Sequence, residues 1–234
     1  MIDDSNVGDD SHRSDAMSGV GQAPLDPFEL LTTTRAVRKR LDLTRPVPLE
    51  LIKECLTIAL QGPSGSNRQH WQWILITDPA QKAAIGDLYW RAVQDYAASE
   101  GFAGNLAADD ADRSRVQQRV GDSVLHLGRV MRDVPAMLLP CIDTGGPLPD
   151  GNQAGIWGSV LPAAWSFMLA ARARGLGTAW TTLHLEYERE AAQILELPDG
   201  VHQALLTPIA YCTGTTFKPA PRQPVDEVLH IDRW

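Results

Sequence analysis

Apolar residues along the chain follow two spacings, which predict a mixture of helices and strands. After Pro48, apolar side chains recur every three or four residues, so we expect a helix that ends at Gly62 and Pro63. A short helix should precede it, because Asp26 and Pro27 form a typical helix start. Further helices are predicted over 79–99, 114–132, 156–174 and 187–197, and strands over 72–78, 136–143, 177–183 and 204–212.

The predicted elements indicate the fold class. The segment 136–143 is apolar at nearly every position, which is typical of a strand that is buried on both faces. Helices outnumber strands, and they must cover both faces of such a sheet. The sequence therefore predicts an α+β protein with three layers in the order α/β/α.

Composition indicates one domain with an unusual beginning. The 234 residues are 44% hydrophobic and 21% charged, as in an ordinary globular protein. Residues 1–24 carry five aspartates against one arginine and show no apolar period. We expect these residues to form a disordered acidic tail, and residues 25–234 to form the domain. The apolar stretch 161–171 is shorter than the roughly 20 residues of a membrane span, so it is interpreted as a buried core helix.

Charge, cysteine content and missing motifs exclude several functional classes. A net charge of −8 disfavours a nucleic-acid partner, which normally meets a basic face. Three widely spaced cysteines do not suggest a secreted disulfide framework, so a cytoplasmic protein is expected. The six histidines show no metal-ligand spacing, and the chain has no P-loop, HExxH or GxSxG motif. No metal site and no hydrolase triad are predicted.

Three polar segments interrupt the apolar pattern and are the candidates for a binding site. The first places four cations between positions 35 and 40, as either a solvated basic face or a phosphate clamp. The second, PSGSNRQ at 63–69, is either an ordinary turn or a loop whose donors and acceptors suit a flat heterocycle. The third, FKPAPR at 217–222, is either a solvated tail or a pair of cations stiffened by proline.

Taken in order, the segments resemble those of the FMN-dependent nitroreductase family. The likeness rests on R-x-V-R at 35–38, GPSGSNRQHWQW at 62–73, RGLGTAWTTLH at 174–184 and KPAPR at 218–222. It covers residues 28–225, and TTTRAVRKRLD and WTTLH are most similar to actinobacterial members. The resemblance implies a nitroreductase-like fold, in which helices flank a central mixed sheet, and a homodimer with FMN at the subunit interface.

The resemblance also implies which residues bind the cofactor. The cations of the first and third segments would hold the FMN phosphate, and Arg38 or Lys39 would reach the N1/O2 edge of the ring. The loop at 63–69 would contact the ribityl chain and the ring, usually from the other subunit, and backbone N–H groups would approach flavin N5. The implied residues are Arg35, Arg38, Lys39, Ser64, Ser66, Asn67, Gln69, Thr181, Thr182, Leu183, Lys218 and Arg222. No catalytic side chain is implied, because the flavin N5 atom carries the hydride.

The chain departs from the family pattern at four points. Thr34 stands where the family often has the first arginine of a pair, and Ala36 stands in place of serine or threonine. Arg40 and Leu41 replace an aromatic residue that usually closes the first motif. His70 replaces the proline before the loop tryptophan, which leaves that loop less stiff.

The implied activity is NAD(P)H-dependent reduction of a small nitroaromatic or quinone-like acceptor, by two-electron ping-pong hydride transfer through flavin N5. NADPH is favoured over NADH because Arg68, Arg91 or Arg113 would meet its 2′-phosphate. Two alternatives stay open. One is a flavin-binding or storage protein with little turnover, and the other is the same fold with a different flavin reaction, such as dehalogenation.

A lid is expected over residues 90–130. Its aromatic residues, together with Tyr89, are candidates for stacking on a flat acceptor, and loops on rigid scaffolds commonly carry specificity. The alternative is that Tyr89 and Trp90 are core residues of a helix.

Overall fold

A computed structural model describes residues 25–214 and 216–234. The acidic tail predicted for residues 1–24 lies outside the described residues. The helices are α1 (Pro27–Thr33), α2 (Leu49–Ala59), α3 (Pro79–Ala98), α4 (Ala111–Val130), α5 (Ala154–Ala173) and α6 (Glu188–Ile194). The strands are β1 (Leu41–Asp42), β2 (Trp71–Ile76), β3 (Ala136–Asp143), β4 (Leu176–Thr178), β5 (Val201–Gln203) and β6 (Thr207–Cys212).

Local sequence sets the ends of several helices. The carboxylates of Asp26, Asp78 and Asp110 each accept hydrogen bonds from the first free N–H groups of α1, α3 and α4. Gly175 follows α5 with a φ of +76°, a left-handed conformation that glycine adopts without strain. These caps explain why the predicted helix boundaries lie within a few residues of the observed ones.

The strands form one sheet in the order β1-β6-β3-β2, with β4 paired to β6 and β5 paired to β3. The five ladders between described strands are all antiparallel. The sheet predicted as mixed therefore contains no parallel pair within the described part of the chain.

Helices cover both faces of the sheet, as the α+β, three-layer prediction requires. Alternate residues of β3 enter different cores: Met137 and Leu139 pack with α3 and α4, whereas Ala136 and Leu138 pack with α2 and α5. This alternation follows from the two-residue period of a strand. The sequence prediction that 136–143 is buried on both faces is confirmed.

Helix α5 has a length and an apolar content that would also suit a membrane span, with a mean hydropathy of 1.3. Its inner residues Phe167, Met168 and Ala171 are buried against α2 and the sheet. It is therefore a core helix of the described fold, as the sequence predicted.

Short strands were the elements that sequence reasoning missed. β1 and β5 contain two and three residues, too few to show an alternating pattern. The strand predicted over 177–183 ends at Thr178, and only an isolated bridge between Thr181 and Leu206 continues the pairing. The residues after Thr178 instead approach the Arg-rich segment, as described next.

Candidate functional site

The Arg-rich segment, residues 34–40, lies between α1 and β1 and is fixed at its middle. The backbone N–H of Val37 donates to the carbonyl of Thr178 at 2.7 Å, and the Val37 side chain is buried in the core. The neighbouring residues then face a cleft of about 210 Å³, which residues 35–40 line together with Ser123 and Phe217. The core contact of one valine thus places several cations around one concave surface.

The structure brings the first and third polar segments together. The Arg35 guanidinium donates to the backbone carbonyl of Lys218. The Lys218 and Arg222 side chains are exposed, and Arg222 donates to the carbonyl of its neighbour Pro221 at 3.1 Å. Arg35 and Lys218, which are more than 180 positions apart, therefore meet beside the cleft.

Arg38 and Lys39 differ sharply in environment. Arg38 is half-buried, its Nη1 lies 3.5 Å from Ser123 Oγ, and it interacts electrostatically with Tyr89. Burial lowers the pKa of the Arg38 guanidinium, because desolvation disfavours the charged form, and Tyr89 opposes this effect. The Lys39 side chain is exposed. Arg38 and Lys39 are the two candidates for the cation at the N1/O2 edge of the ring. Because Arg38 is the less exposed of the two, it is the better candidate.

Tyr89 links Arg38 to the loop after β4. Its ring is only 1% exposed, and its hydroxyl is hydrogen-bonded to the Thr181 hydroxyl at 3.1 Å. Burial raises the pKa of Tyr89, while the Thr181 hydrogen bond and the Arg38 charge counteract the rise. Sequence reasoning treated Tyr89 as a residue that could stack on an acceptor, and its burial excludes that role. The signal that could have revealed this position was an aromatic residue with a hydroxyl group, which needs a hydrogen-bond partner when it is buried.

The residues expected near flavin N5 lie at the start of a short 3₁₀ turn, Leu183–Tyr187. Thr181 is held by reciprocal backbone hydrogen bonds with Leu206, at 3.1 and 2.8 Å. Thr182, which follows it, is exposed. The first N–H groups of a helical turn lack acceptors within that turn, so the amides of Thr182 and Leu183 suit an external acceptor.

The loop at 63–69 lies against α5. Its backbone turns sharply, with φ values of +54°, +52° and +52° at Ser66, Asn67 and Gln69. The N–H of Gly65 donates to Ser159 Oγ at 2.9 Å, and Gln69 Nε2 donates to Asn67 Oδ1 at 2.9 Å. Its described hydrogen bonds stay within the loop or reach α5, and none joins the Arg-rich segment. The structure does not bring Ser64, Ser66, Asn67 and Gln69 to the cationic cleft of the same chain.

The segment proposed as a lid is mostly helical. It comprises the end of α3, a 3₁₀ turn at Ala103–Asn105 and α4. Tyr96 and Phe102 contact each other edge to face, with ring centroids 5.4 Å apart, and Tyr96 accepts a hydrogen bond from the N–H of Ala103. Arg91, one candidate for the NADPH phosphate, forms a 2.6 Å ion pair with Glu190 and stacks on Tyr187. Arg68 and Arg113 are exposed.

The thiols have no activated environment. Cys55 and Cys141 are buried, and burial raises their pKa values to about 11 and about 12. The pKa of Cys212 is also raised, mainly by burial. Thiols in this state are protonated at neutral pH and are poor nucleophiles. Among residues 25–214 and 216–234, no group of three or more His, Cys, Asp or Glu side chains could hold a metal ion.

The cationic cleft suits the phosphate end of FMN. Arg38 is already partly desolvated, and a negatively charged group of the cofactor would compensate the cost of its burial. The exposed amides and hydroxyls of the loop at 63–69 suit the ring edge, but on this chain they lie away from the cleft.

Comparison with known proteins identifies the family. The Nitroreductase family model matches residues 31–211. The chain belongs to the nitroreductase family. A Methanothermobacter thermautotrophicus protein, provisionally named an NADH dehydrogenase/NAD(P)H nitroreductase, is 24% identical over 215 residues, which cover 90% of this chain and 88% of that protein.

Solved structures share the nitroreductase fold. Oxidized iodotyrosine deiodinase bound to FMN and 3-iodo-L-tyrosine has a TM-score of 0.64 and 21% identity, over 88% of this chain and 98% of that one. An FMN complex from Desulfovibrio desulfuricans, provisionally described as a nitroreductase, has a TM-score of 0.63 and 16% identity, over 90% and 99% of the two chains. The predicted nitroreductase-like fold is confirmed.

Sequence reasoning also missed His184, which directly follows the N5-proximal residues. It is fully buried, and both ring nitrogens lack a hydrogen-bond partner in the described structure. Burial lowers the pKa of His184 from 6.5 to about 4, because the imidazolium is not solvated there. The folded protein therefore holds this histidine neutral, whereas the unfolded chain takes up a proton below pH 6.5.

This difference predicts an acid-sensitive stability. Protons favour the unfolded state between pH 6.5 and about pH 4, so the free energy of unfolding should fall across that window. Between pH 7 and pH 5 the His184 contribution should be roughly 2 kcal/mol. Urea unfolding at both pH values should show a smaller fall for His184→Leu than for the unsubstituted protein. His230→Leu, in the exposed C-terminal region, is the control and should keep the full fall; an undiminished fall in His184→Leu would contradict the prediction.

Proposed function

We propose that this nitroreductase-family protein is an FMN-dependent NAD(P)H oxidoreductase that reduces nitroaromatic or quinone-like acceptors. The observation that carries the proposal is the cleft in which the Arg-rich segment meets the C-terminal basic segment, with Arg35 hydrogen-bonded to Lys218. When bound, FMN would accept a hydride from NAD(P)H and pass two electrons to the acceptor. The protein's tasks are then to bind, orient and tune the cofactor.

The residues divide these tasks by position. Arg35, Lys39, Lys218 and Arg222 would hold the phosphate, since guanidinium and ammonium groups form strong hydrogen bonds with it. Arg38, deeper and held near Tyr89 and Ser123, would stabilise negative charge at the N1/O2 edge of the ring. The backbone amides of Thr182 and Leu183 would face N5, and Thr181 would hold them in place through Leu206 and Tyr89.

A homodimer would complete this site. Exposed apolar side chains lie on α1, α2 and α5, which pack side by side: Phe28, Leu31, Ile58, Leu60 and Trp165. The C-terminal arm, residues 218–234, exposes a second set: Val225, Val228, Leu229, Ile231 and Trp234. Apolar surface of this extent favours association. The same association would supply Ser64, Ser66, Asn67 and Gln69 from the partner.

The acceptor is expected to meet residues 90–130, which we propose as a lid. This segment includes the exposed Arg113, and Arg68 lies on the loop at 63–69, so either cation would suit the 2′-phosphate of NADPH. The protein is expected to act in the cytoplasm, where NAD(P)H is available and thiols stay reduced.

A second reaction on the same site is reductive dehalogenation. The observation in its favour is the fold similarity to iodotyrosine deiodinase. Both reactions use the same binding residues, so they differ in the acceptor that the lid admits.

The first test is an anaerobic absorption spectrum of the FMN-loaded protein before and after NADPH or NADH. The flavin bands should bleach within seconds, because the proposed reaction begins with hydride transfer from NAD(P)H to N5. Subsequent addition of a nitroaromatic, a quinone or a halogenated phenol should restore the bands, and product analysis identifies the reaction. A flavoprotein that stays oxidised with both donors would favour storage, and a protein that takes up no FMN would refute the site assignment.

Substitutions of Arg38 and Lys39 should differ in their effect on the affinity for FMN. Arg38→Gln should weaken FMN binding roughly tenfold to a hundredfold, because it removes a charged donor from a partly buried position. Lys39→Gln should weaken it less than threefold, since an exposed cation is screened by water. Quenching of FMN fluorescence measures both dissociation constants. The opposite order would show that Lys39, not Arg38, is the inner contact.

Association should depend on the α1–α2–α5 face. Light scattering should give about twice the 25.6 kDa mass of one chain. Ile58→Asp should shift the protein toward the monomer, because it places a carboxylate in the interface. Val116→Asp on α4 is a matched control, since Ile58 and Val116 are 43% and 45% exposed, and it should leave the dimer intact. A dimer that survives Ile58→Asp but dissociates in Val116→Asp would place the interface on the α4 side.

A further inference from the structure

Phe217 occupies an unusual position between two arginines. The guanidinium carbon of Arg40 lies 4.2 Å from its ring centroid, and that of Arg172 lies 4.4 Å from it. Both distances are within the range of a favourable cation–π contact. The three side chains, called here the arginine–phenylalanine stack, come from the Arg-rich segment, from α5 and from the chain after β6.

Arg40 is fixed to the same stretch of chain by its backbone and its side chain. Its Nε and Nη1 donate to the carbonyls of Thr213 and Thr216 at 2.9 and 3.0 Å, and its own carbonyl accepts from the N–H of Thr213 at 2.8 Å. Gly214, between them, has a φ of +82°, and a Cβ there would lie 2.8 Å from Arg40 Nη2. The turn is therefore shaped around this guanidinium.

The stack gathers like charges. Arg172 is only 5% exposed; burial lowers its pKa most, Glu29 favours its charged form and Arg40 disfavours it. Arg35 and Arg38 line the cleft beside Phe217. The ring face offsets part of this repulsion, and an anion in the cleft would offset more.

Phe217 is also the last residue that packs on the core before the chain leaves it. It contacts the core cluster that contains Val37 and Leu41. The next residue, Lys218, accepts the Arg35 hydrogen bond through its carbonyl, and the arm beyond it is exposed along nearly its whole length. The position of the arm relative to the cleft therefore depends on how Phe217 is held.

We propose that the arginine–phenylalanine stack is a positioning device that couples occupation of the cleft by the FMN phosphate to docking of the C-terminal arm. The proposal rests on the proposed FMN site. A phosphate in the cleft would attract the guanidiniums that line it, so it should hold Phe217, and with it the arm, more firmly in place. Coupling is reciprocal, so a stack that holds the arm poorly should also bind FMN less tightly.

The substitutions that test this proposal separate the effect of the aromatic ring at position 217 from the effect of side-chain size. Phe217→Leu keeps an apolar side chain but removes the ring face that both guanidiniums contact. Phe217→Tyr keeps the ring and is the matched control. Arg40→Gln removes one cation of the stack and serves as a second variant if Phe217→Leu unfolds, which circular dichroism would reveal.

Two readouts report on the coupling, and neither requires turnover. Fluorescence quenching gives the dissociation constant for FMN. Trypsin cleavage after Arg222, followed as release of the fragment 223–234 by mass spectrometry, reports on docking of the arm, since the Lys218–Pro219 bond resists trypsin. Riboflavin, which carries the same ring without a phosphate, is the ligand control at saturating concentration.

In the unsubstituted protein and in Phe217→Tyr, FMN should slow cleavage after Arg222 about fivefold or more, and riboflavin should not. In Phe217→Leu the dissociation constant for FMN should rise about fivefold and the protection should vanish. Equal affinity and equal protection in Phe217→Leu would overturn the coupling and leave the proposed function standing, as would protection by riboflavin as strong as that by FMN. Failure of the unsubstituted protein to bind FMN would overturn the proposed function, and the coupling with it.

Discussion

The candidate site depends on one strand, β6, which forms ladders with three others. It pairs with β1 through Leu41 and Cys212, with β4 through Leu176 and Tyr211, and with β3 at the centre of the sheet. The Arg-rich segment enters β1, the N5-proximal residues follow β4, and Phe217 and Lys218 follow β6 itself. The N–H and C=O groups of buried strands must be paired with hydrogen-bond partners. Formation of the three ladders therefore brings these distant segments together. The binding chemistry is thus a consequence of sheet topology, and the loops need little intrinsic preference of their own.

Sequence reasoning recovered the features that local physics determines. Asp26 and Gly175 marked helix ends, and an unbroken apolar run marked β3, because each signal acts within a few residues. It missed β1 and β5, whose two or three residues become strands only through their neighbours, and it left Tyr89 open between acceptor stacking and a core position, because burial of an aromatic residue is set by α3 packing. The family motifs named the cations and the loop, but only the structure separated buried Arg38 from exposed Lys39. His184 gave no signal in the sequence, since its unpaired burial results from tertiary packing alone.

The cleft shows how an acidic protein concentrates positive charge. Packing of Val37 and Phe217 on one core holds Arg35, Arg38 and Arg40 close together, and Arg172 approaches from α5. Partial burial strips water from these guanidiniums, so each gains more from an anion than an exposed cation would. Arg40 stands where related motifs have an aromatic residue, and Phe217 supplies an aromatic ring beside it from the far end of the chain. Arg40, at which the first motif departs from the family, and Phe217, the first residue of FKPAPR, therefore form a single contact.

Two properties of the single chain have the same physical explanation. Its cationic cleft would hold only one end of a flavin, while the loop with suitable ring contacts lies against α5. Its α1–α2–α5 face and C-terminal arm leave large apolar side chains in water, including Trp234 at 99% exposure. Pairing two copies would bury that surface and bring the partner's loop to each cleft. The free energy of association would then favour assembly of the cofactor site. Stability of the assembly and affinity for the cofactor would then be linked, since each favours the arrangement in which the arm, the cleft and the partner's loop are all in place.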